Sequence, residues 1–251
     1  MTTTPLRVLV TGSSGAVGKV LVPELLSRGH FVRGLDLKPS SGVQEMLVGS
    51  IADAELVARA SEGIDVLVHL AAEPNDCDFL SRLVPANMVG LYNVLSSAAR
   101  SKIKRYVLAS SVQTIDALER PVGRRLMVSD GVAPRNHYGL TKVWLEEMCR
   151  MYARMNQASA VCVRLGWMPR TADEASRIRN SKNAPTVYIS PTDAGRLFRA
   201  CVESNNPAAG QTLVVYGTSK SDPDKGFDYQ TAVDQLGYDP QHTFPEGMPT
   251  A

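Results

Sequence analysis

Apolar residues along this chain fall into two alternating patterns. Short unbroken runs predict buried strands at residues 6–10, 30–36, 46–48, 65–70, 104–110, 160–165 and 211–216. Between them, apolar positions recur every three or four residues and predict helices at 16–28, 51–61, 79–101, 138–156, 191–202 and 229–236. Asp53 lies near the start of its helix, where a negative charge suits the dipole. Ser190 is placed as an N-cap, with Pro191 at the first helical position and Asp193 at the third. Residues 112–135 form a longer connection rich in Arg, Pro and Gly, and 167–187 read as polar and irregular. Strand and helix patterns alternate throughout. That order predicts an α/β fold with a doubly wound, mostly parallel sheet and helices on both faces.

The first strand-to-helix junction carries a motif. Gly12, Gly15 and Gly18 punctuate Thr11-Gly-Ser-Ser-Gly-Ala-Val-Gly18 between predicted strand and predicted helix. The first glycine permits a tight turn, the second lets a pyrophosphate approach the helix N-terminus, and the third allows close helix–sheet packing. Asp36 ends the second predicted strand, 18 residues after Gly18. A carboxylate there accepts both hydroxyls of an adenosine ribose and repels a 2′-phosphate, which favours NAD over NADP. Arg33 and Lys38 flank it and leave room for NADP.

Composition narrows the class. The net charge of +2 and 44% hydrophobic content include no basic block of the kind that binds nucleic acid. No apolar run reaches bilayer length, and Met1-Thr-Thr-Thr-Pro5 lacks a signal-peptide stretch. Cys77, Cys149, Cys162 and Cys201 show no metal-ligand spacing, and the histidines are scattered, so no metal site is expected. Such thiols suit a reducing compartment, and the expected location is the cytoplasm.

Tyr138 and Lys142 stand four apart on one predicted helix face. An ammonium beside a phenol favours the phenolate; bringing a tyrosine from its usual 10 to about 7 takes about 4 kcal/mol. Tyr216-Gly-Thr-Ser-Lys220 repeats the spacing after a strand, where a loop would not align the two groups.

Thr11-Gly-x-x-Gly-x-x-Gly18, Asp36, His69-Leu-Ala-Ala72, Asn87, Ser110-Ser111 and Tyr138-x-x-x-Lys142 together resemble the extended short-chain dehydrogenase/reductases, the NAD-dependent epimerase/dehydratase family. The resemblance spans nearly the whole chain. It implies a Rossmann-type domain over residues 1–165 and a small substrate-binding region over 166–251, interleaved with the last strand in one compact unit. It also implies NAD as cofactor, with Gly12, Ser14, Gly15, Ala16, Val17, Gly18, Asp36, Leu70, Ala71 and Ala72 as contacts. In that scheme Ser111 hydrogen-bonds the reacting oxygen and Tyr138 exchanges its proton. Lys142 tunes Tyr138 and binds the nicotinamide ribose, and Asn87 lies in the helix beneath the site. Relatives commonly pair two of these helices in a homodimer.

Within the family, the length, Val214-Val-Tyr-Gly217 and Leu236-Gly-Tyr-Asp-Pro240 most resemble uronate dehydrogenases. Val112-Gln113 and Trp167 depart from their pattern, which has an Asn-His pair and a small serine there. Glu73, Val112, Gln113, Trp167 and Arg177 are the candidate substrate contacts. The expected activity is hydride transfer between a sugar, sugar acid or polyol and nicotinamide. The alternatives are an epimerase that retains NAD and a non-catalytic NAD-binding sensor. Arg120, Arg124, Arg125 and Arg135 offer either an anion contact or a solvated loop face.

Overall fold

The computed structural model describes residues 4–249; Met1–Thr3 and the last two residues of the expected C-terminal region lie outside that range. Seven strands form one sheet: β1 (Arg7–Thr11), β2 (Phe31–Asp36), β3 (Glu45–Val48), β4 (Val66–His69), β5 (Arg105–Ser111), β6 (Ser159–Leu165) and β7 (Thr212–Gly217). Their order is β3-β2-β1-β4-β5-β6-β7, and every pairing is parallel. The order reverses between β1 and β4, which opens a crevice at the strands' carboxyl ends.

Two apolar cores lie on opposite faces of this sheet. Successive side chains of a strand point to opposite faces. Val8 and Val10 therefore join Leu21, Leu25, Leu197 and Phe198 on one side, while Leu9 joins Leu67, Leu91, Leu95 and Cys149 on the other. The first core packs α1 (Ala16–Ser27), which the chain order follows with α2 (Ala54–Ser61), α3 (Gly90–Arg100), α4 (His137–Asn156), α5 (Ala172–Arg179), α6 (Ala184–Val187), α7 (Pro191–Glu203) and α8 (Gln230–Leu236). Burial on both faces explains why these strands read as continuous apolar runs.

Local chemistry sets several boundaries. Asp53 caps α2 by accepting from the Glu55 and Leu56 amides, both at 3.0 Å, so the helix begins at Ala54 and not at 51. Ser190 caps α7, accepting from the Asp193 amide at 3.0 Å.

Two expectations need correction. The helix expected over 79–101 divides: Phe79–Val89 is wound as a wider π-helix, and only Gly90–Arg100 is α-helical. Pro85 has no amide to donate to the turn before it, and its carbonyl accepts the Gly90 amide five residues on. Residues 167–187 are not irregular, since they hold α5 and α6. Thr171 caps α5 through the Glu174 amide at 3.2 Å, a Thr-x-x-Glu signature the polar composition concealed. Among the described residues, no helix is long and apolar enough to cross a membrane.

Candidate active site

The carboxyl ends of β1, β2, β4, β5 and β6 surround one cleft of about 920 Å³. Its floor is the turn from β1 into α1. Gly12 adopts φ +76°, and a Cβ there would lie 2.6 Å from the Ala71 amide nitrogen. A Cβ on Gly18 would meet the Ser13 carbonyl at 2.4 Å. Only glycine lets α1 start this close to β4. Gly15 is the N-cap of α1 and offers no side chain to its first amides, leaving them for an anionic ligand.

Gly15, Ala16, Val17 and Gly18 line the cleft beside Asp36, and Leu70, Ala71 and Ala72 face them from the end of β4. These residues fit a dinucleotide: a small-residue cradle at an uncapped helix N-terminus, with a carboxylate at the end of the neighbouring strand. Ser14 does not line this cleft. Its amide donates to Asp36 at 3.0 Å and its hydroxyl to the Lys38 carbonyl at 2.7 Å, facing a separate recess with Lys19 and Ser40.

Ser111 ends β5, while Tyr138 and Lys142 come from the first turns of α4. All three line the cleft and are buried. Two groups hold the start of α4. Asn136 accepts the Gly139 amide at 2.7 Å, and Asp76 accepts the Tyr138 amide at 3.1 Å. The Lys142 ammonium donates to the Ala109 carbonyl at 2.8 Å and stands 5.6 Å from the centroid of the Tyr138 ring. Burial pushes the Tyr138 phenol up to about 12, against opposing pulls from the Ser111 hydroxyl and the Arg170 guanidinium. Burial lowers Lys142 to about 8. The pulls toward the phenolate come from Ser111 and from Arg170, a residue the motif did not contain.

Asn87 lies beneath the cleft, not in its wall. It accepts the Glu73 amide at 2.7 Å and donates to the Thr141 hydroxyl at 3.1 Å, tying the loop after β4 to α4. Glu73, Val112, Gln113, Trp167 and Arg177 do line the open end. Glu73 is paired with Arg82 at 2.6 Å, and the Gln113 side-chain carbonyl accepts from Asn136 at 2.9 Å. Trp167 remains 36% exposed. Arg170 and Glu174 also line this end, bonded to each other, and Arg170 reaches Asn75 at 3.2 Å. The Thr-x-x-Glu cap of α5 was their only sequence signal.

The loop arginines lie elsewhere. Arg124 pairs with Asp130, Arg125 binds the Ser221 and Asp222 carbonyls, Arg135 binds the Asp116 carbonyl, and Arg120 stacks on Phe227. Tyr216 sits in β7 with its ring against Phe227, away from any helix that could align it with Lys220. Among the described residues no cluster of three or more His, Cys, Asp or Glu side chains is placed to hold a metal.

The comparisons agree with this geometry. The sequence model of the NAD dependent epimerase/dehydratase family matches residues 8–168. An L-arabinose 1-dehydrogenase (NAD(P)(+)) of Haloferax volcanii is 30% identical over 254 residues, covering 94% of this chain and 96% of that protein. A uronate dehydrogenase of Pseudomonas syringae pv. tomato is 28% identical over 217 residues, covering 85% of this chain and 74% of that one. The crystal structure of an Agrobacterium tumefaciens uronate dehydrogenase, a tyrosine-to-alanine mutant complexed with NAD, superposes with a TM-score of 0.80 at 26% identity. It covers 95% of this chain and 86% of that one. The chain belongs to the NAD dependent epimerase/dehydratase family and is an NAD-dependent oxidoreductase with a Rossmann-type fold.

Proposed function

We propose that this enzyme oxidises a hydroxyl of an aldose or a related sugar or polyol, with Tyr138 as the proton acceptor. The observation that carries the reading is the convergence of Ser111, Tyr138 and Lys142 on the cleft that the glycine turn and Asp36 also line. Residues 1–165 supply the cofactor cradle and the proton-transfer groups, and residues 166–251 close the substrate end. Gly12, Gly15, Ala16, Val17 and Gly18 would hold the pyrophosphate of NAD, and Asp36 its adenosine ribose. Leu70, Ala71 and Ala72 would line its flank, and Lys142 would hold its nicotinamide ribose. When bound, NAD supplies the hydride acceptor and a positive charge beside the phenol.

The chain's own groups divide the proton work. Ser111 holds the reacting oxygen and favours the ionised phenol. Tyr138, buried away from water, exchanges its proton with that oxygen. Lys142 is fixed by the Ala109 carbonyl, which holds its ammonium 5.6 Å from the centroid of the Tyr138 ring. The kinship with an L-arabinose 1-dehydrogenase supports a sugar substrate.

The test is absorbance of reduced nicotinamide with added NAD and a panel of aldoses, polyols and sugar acids. Net NAD reduction supports the dehydrogenase. Isomerised sugar without net reduction would mark an epimerase, and NAD binding with neither would mark a sensor.

We place the enzyme in the cytoplasm as a homodimer. The four free thiols suit a reducing compartment. Leu80, Tyr92, Leu140, Trp144, Met151 and Met155 are exposed along the π-wound segment, α3 and α4, an apolar surface suited to a second copy. Sedimentation would read a dimer, and Trp144→Glu should shift it to monomer.

A further inference from the structure

Helix α4 carries a third polar residue on the face of Tyr138 and Lys142. Glu146 follows Lys142 by one turn and is 1% exposed. Three successive residues at the end of β5 meet these three positions. The Ala109 carbonyl takes the Lys142 ammonium at 2.8 Å, the Ser110 hydroxyl donates to Glu146 Oε1 at 2.7 Å, and Ser111, whose hydroxyl accepts the Gln113 amide at 3.1 Å, lines the cleft beside Tyr138.

Glu146 is itself held from the neighbouring strands. Ser110, Arg164 and Tyr216 are register partners across β5, β6 and β7, so their side chains form a row on one face of the sheet. Arg164 is buried and gives Glu146 two bonds, Nε to Oε1 at 2.9 Å and Nη2 to Oε2 at 3.0 Å. Its remaining nitrogen, Nη1, reaches the Tyr216 hydroxyl at 3.2 Å and the Gly131 carbonyl at 3.4 Å. Both carboxylate oxygens are thus met by donors on rigid elements.

Stability alone does not account for this arrangement. A buried ion pair is commonly matched or bettered by apolar side chains of similar volume. A pair fixed at both ends does set orientation, and here it lies one residue from Ser111. We propose that Glu146 is a positioning residue that acts through Ser110 to fix Ser111 against Tyr138, with Arg164 locking it in place. The proposal rests on the catalytic assignment above.

Ser110→Ala removes the link and leaves the Glu146–Arg164 pair intact. A 1 Å misplacement of reacting groups costs on the order of 100-fold, so partial release of Ser111 should lower kcat about tenfold. KM for NAD should stay within about twofold, because the cofactor cradle is untouched. A readout independent of turnover is the phenolate absorbance of Tyr138 in the NAD-saturated protein, taken as the difference from Tyr138→Phe. Since Ser111 favours the phenolate, Ser110→Ala should move that titration to higher pH, and Ser110→Thr should restore it.

Glu146→Gln should show the same upward titration with a lower Tm, because Arg164 loses its counter-charge. It serves in place of Ser110→Ala if that variant does not fold. Wild-type kcat and an unmoved titration in the folded variant overturn the proposal. If the parent protein reduces no NAD with any sugar while the titration still shifts, the substrate reading fails and the positioning role stands.

Discussion

The Asp36 carboxylate accepts the Ser14 amide at 3.0 Å, so the acid that ends β2 is tied to the glycine turn at the start of α1. Its other oxygen accepts the Lys38 amide at 3.1 Å. The charge is therefore held at the mouth of the cleft, where a ribose 2′-hydroxyl would meet an acceptor and a 2′-phosphate would meet repulsion. NAD should bind more tightly than NADP. Asp36→Ala should narrow the ratio of the two dissociation constants by about tenfold, corresponding to a hydrogen bond to a charged group. An unchanged ratio by calorimetry would mean the carboxylate does not reach the ribose.

Tyr138→Phe removes one hydroxyl and leaves the ring in place. Single-turnover hydride transfer should fall by about two to four orders of magnitude, with NAD affinity little changed. Lys142→Met should lower the rate and weaken NAD binding together. Tyr216→Phe is the contrast: the Tyr216 hydroxyl accepts from Arg164 at 3.2 Å, so its loss should cost about 1 kcal/mol of stability and spare the chemistry. A rapid Tyr138→Phe enzyme, or a dead Tyr216→Phe one, would mean the wrong tyrosine has been assigned.

Galacturonate and glucuronate should be poor substrates. The Val112 side chain offers no hydrogen bond, the Gln113 side-chain carbonyl is engaged by Asn136, and Trp167 lines the cleft with a bulky ring. A substrate hydroxyl left without its partner commonly costs about 10²-fold or more in kcat/KM. Steady-state assays beside neutral aldoses measure the ratio directly. Efficient uronate turnover would contradict the expectation.

Acid should destabilise the fold through His69. Burial, with the Lys142 charge adding to it, lowers this imidazole to about 3, and Thr11 hydrogen-bonds its Nδ1 at 2.8 Å. Between pH about 6.5 and 3 the unfolded chain binds a proton that the folded one refuses. The stability is complete above that window and drains as pH falls through it, at about 1.4 kcal/mol per pH unit. Urea midpoints for wild type and His69→Gln, taken from pH 7 downward, should converge. Parallel curves would assign the acid limb to other groups.

The residues that meet around the glycine turn and at the start of α4 were legible because their requirements are local. Gly12, Gly18 and Asp36 are demanded by one turn and one strand end, and Tyr138 and Lys142 by one helical period. Arg170, Glu174 and Glu146 were not. Arg170 meets Asn75, and Glu146 meets Ser110 and Arg164, only when segments far apart in the chain come together, and Glu174 pairs with Arg170 on a helix that the polar composition concealed. The winding of Phe79–Val89 escaped for another reason: π- and α-helical turns bury similar apolar spacings, and only the unmade bond at Pro85 separates them. Ser14 faces a separate recess, and a contiguous motif does not reveal which of its side chains faces away.

The all-parallel sheet has a consequence for how the chain acquires its activity. Val8 pairs with Val32 and Val66, Arg105 with Ser159, and Ala160 with Thr212, so each of these rungs closes a long loop before it is rewarded. Such a topology folds slowly, and strand edges stay unpaired while it does so. The cleft draws walls from both sides of the β1–β4 junction, so neither half of the nascent sheet contains a binding site. NAD added to refolding protein should therefore raise the final yield by drawing off completed molecules, without accelerating the step that joins the halves.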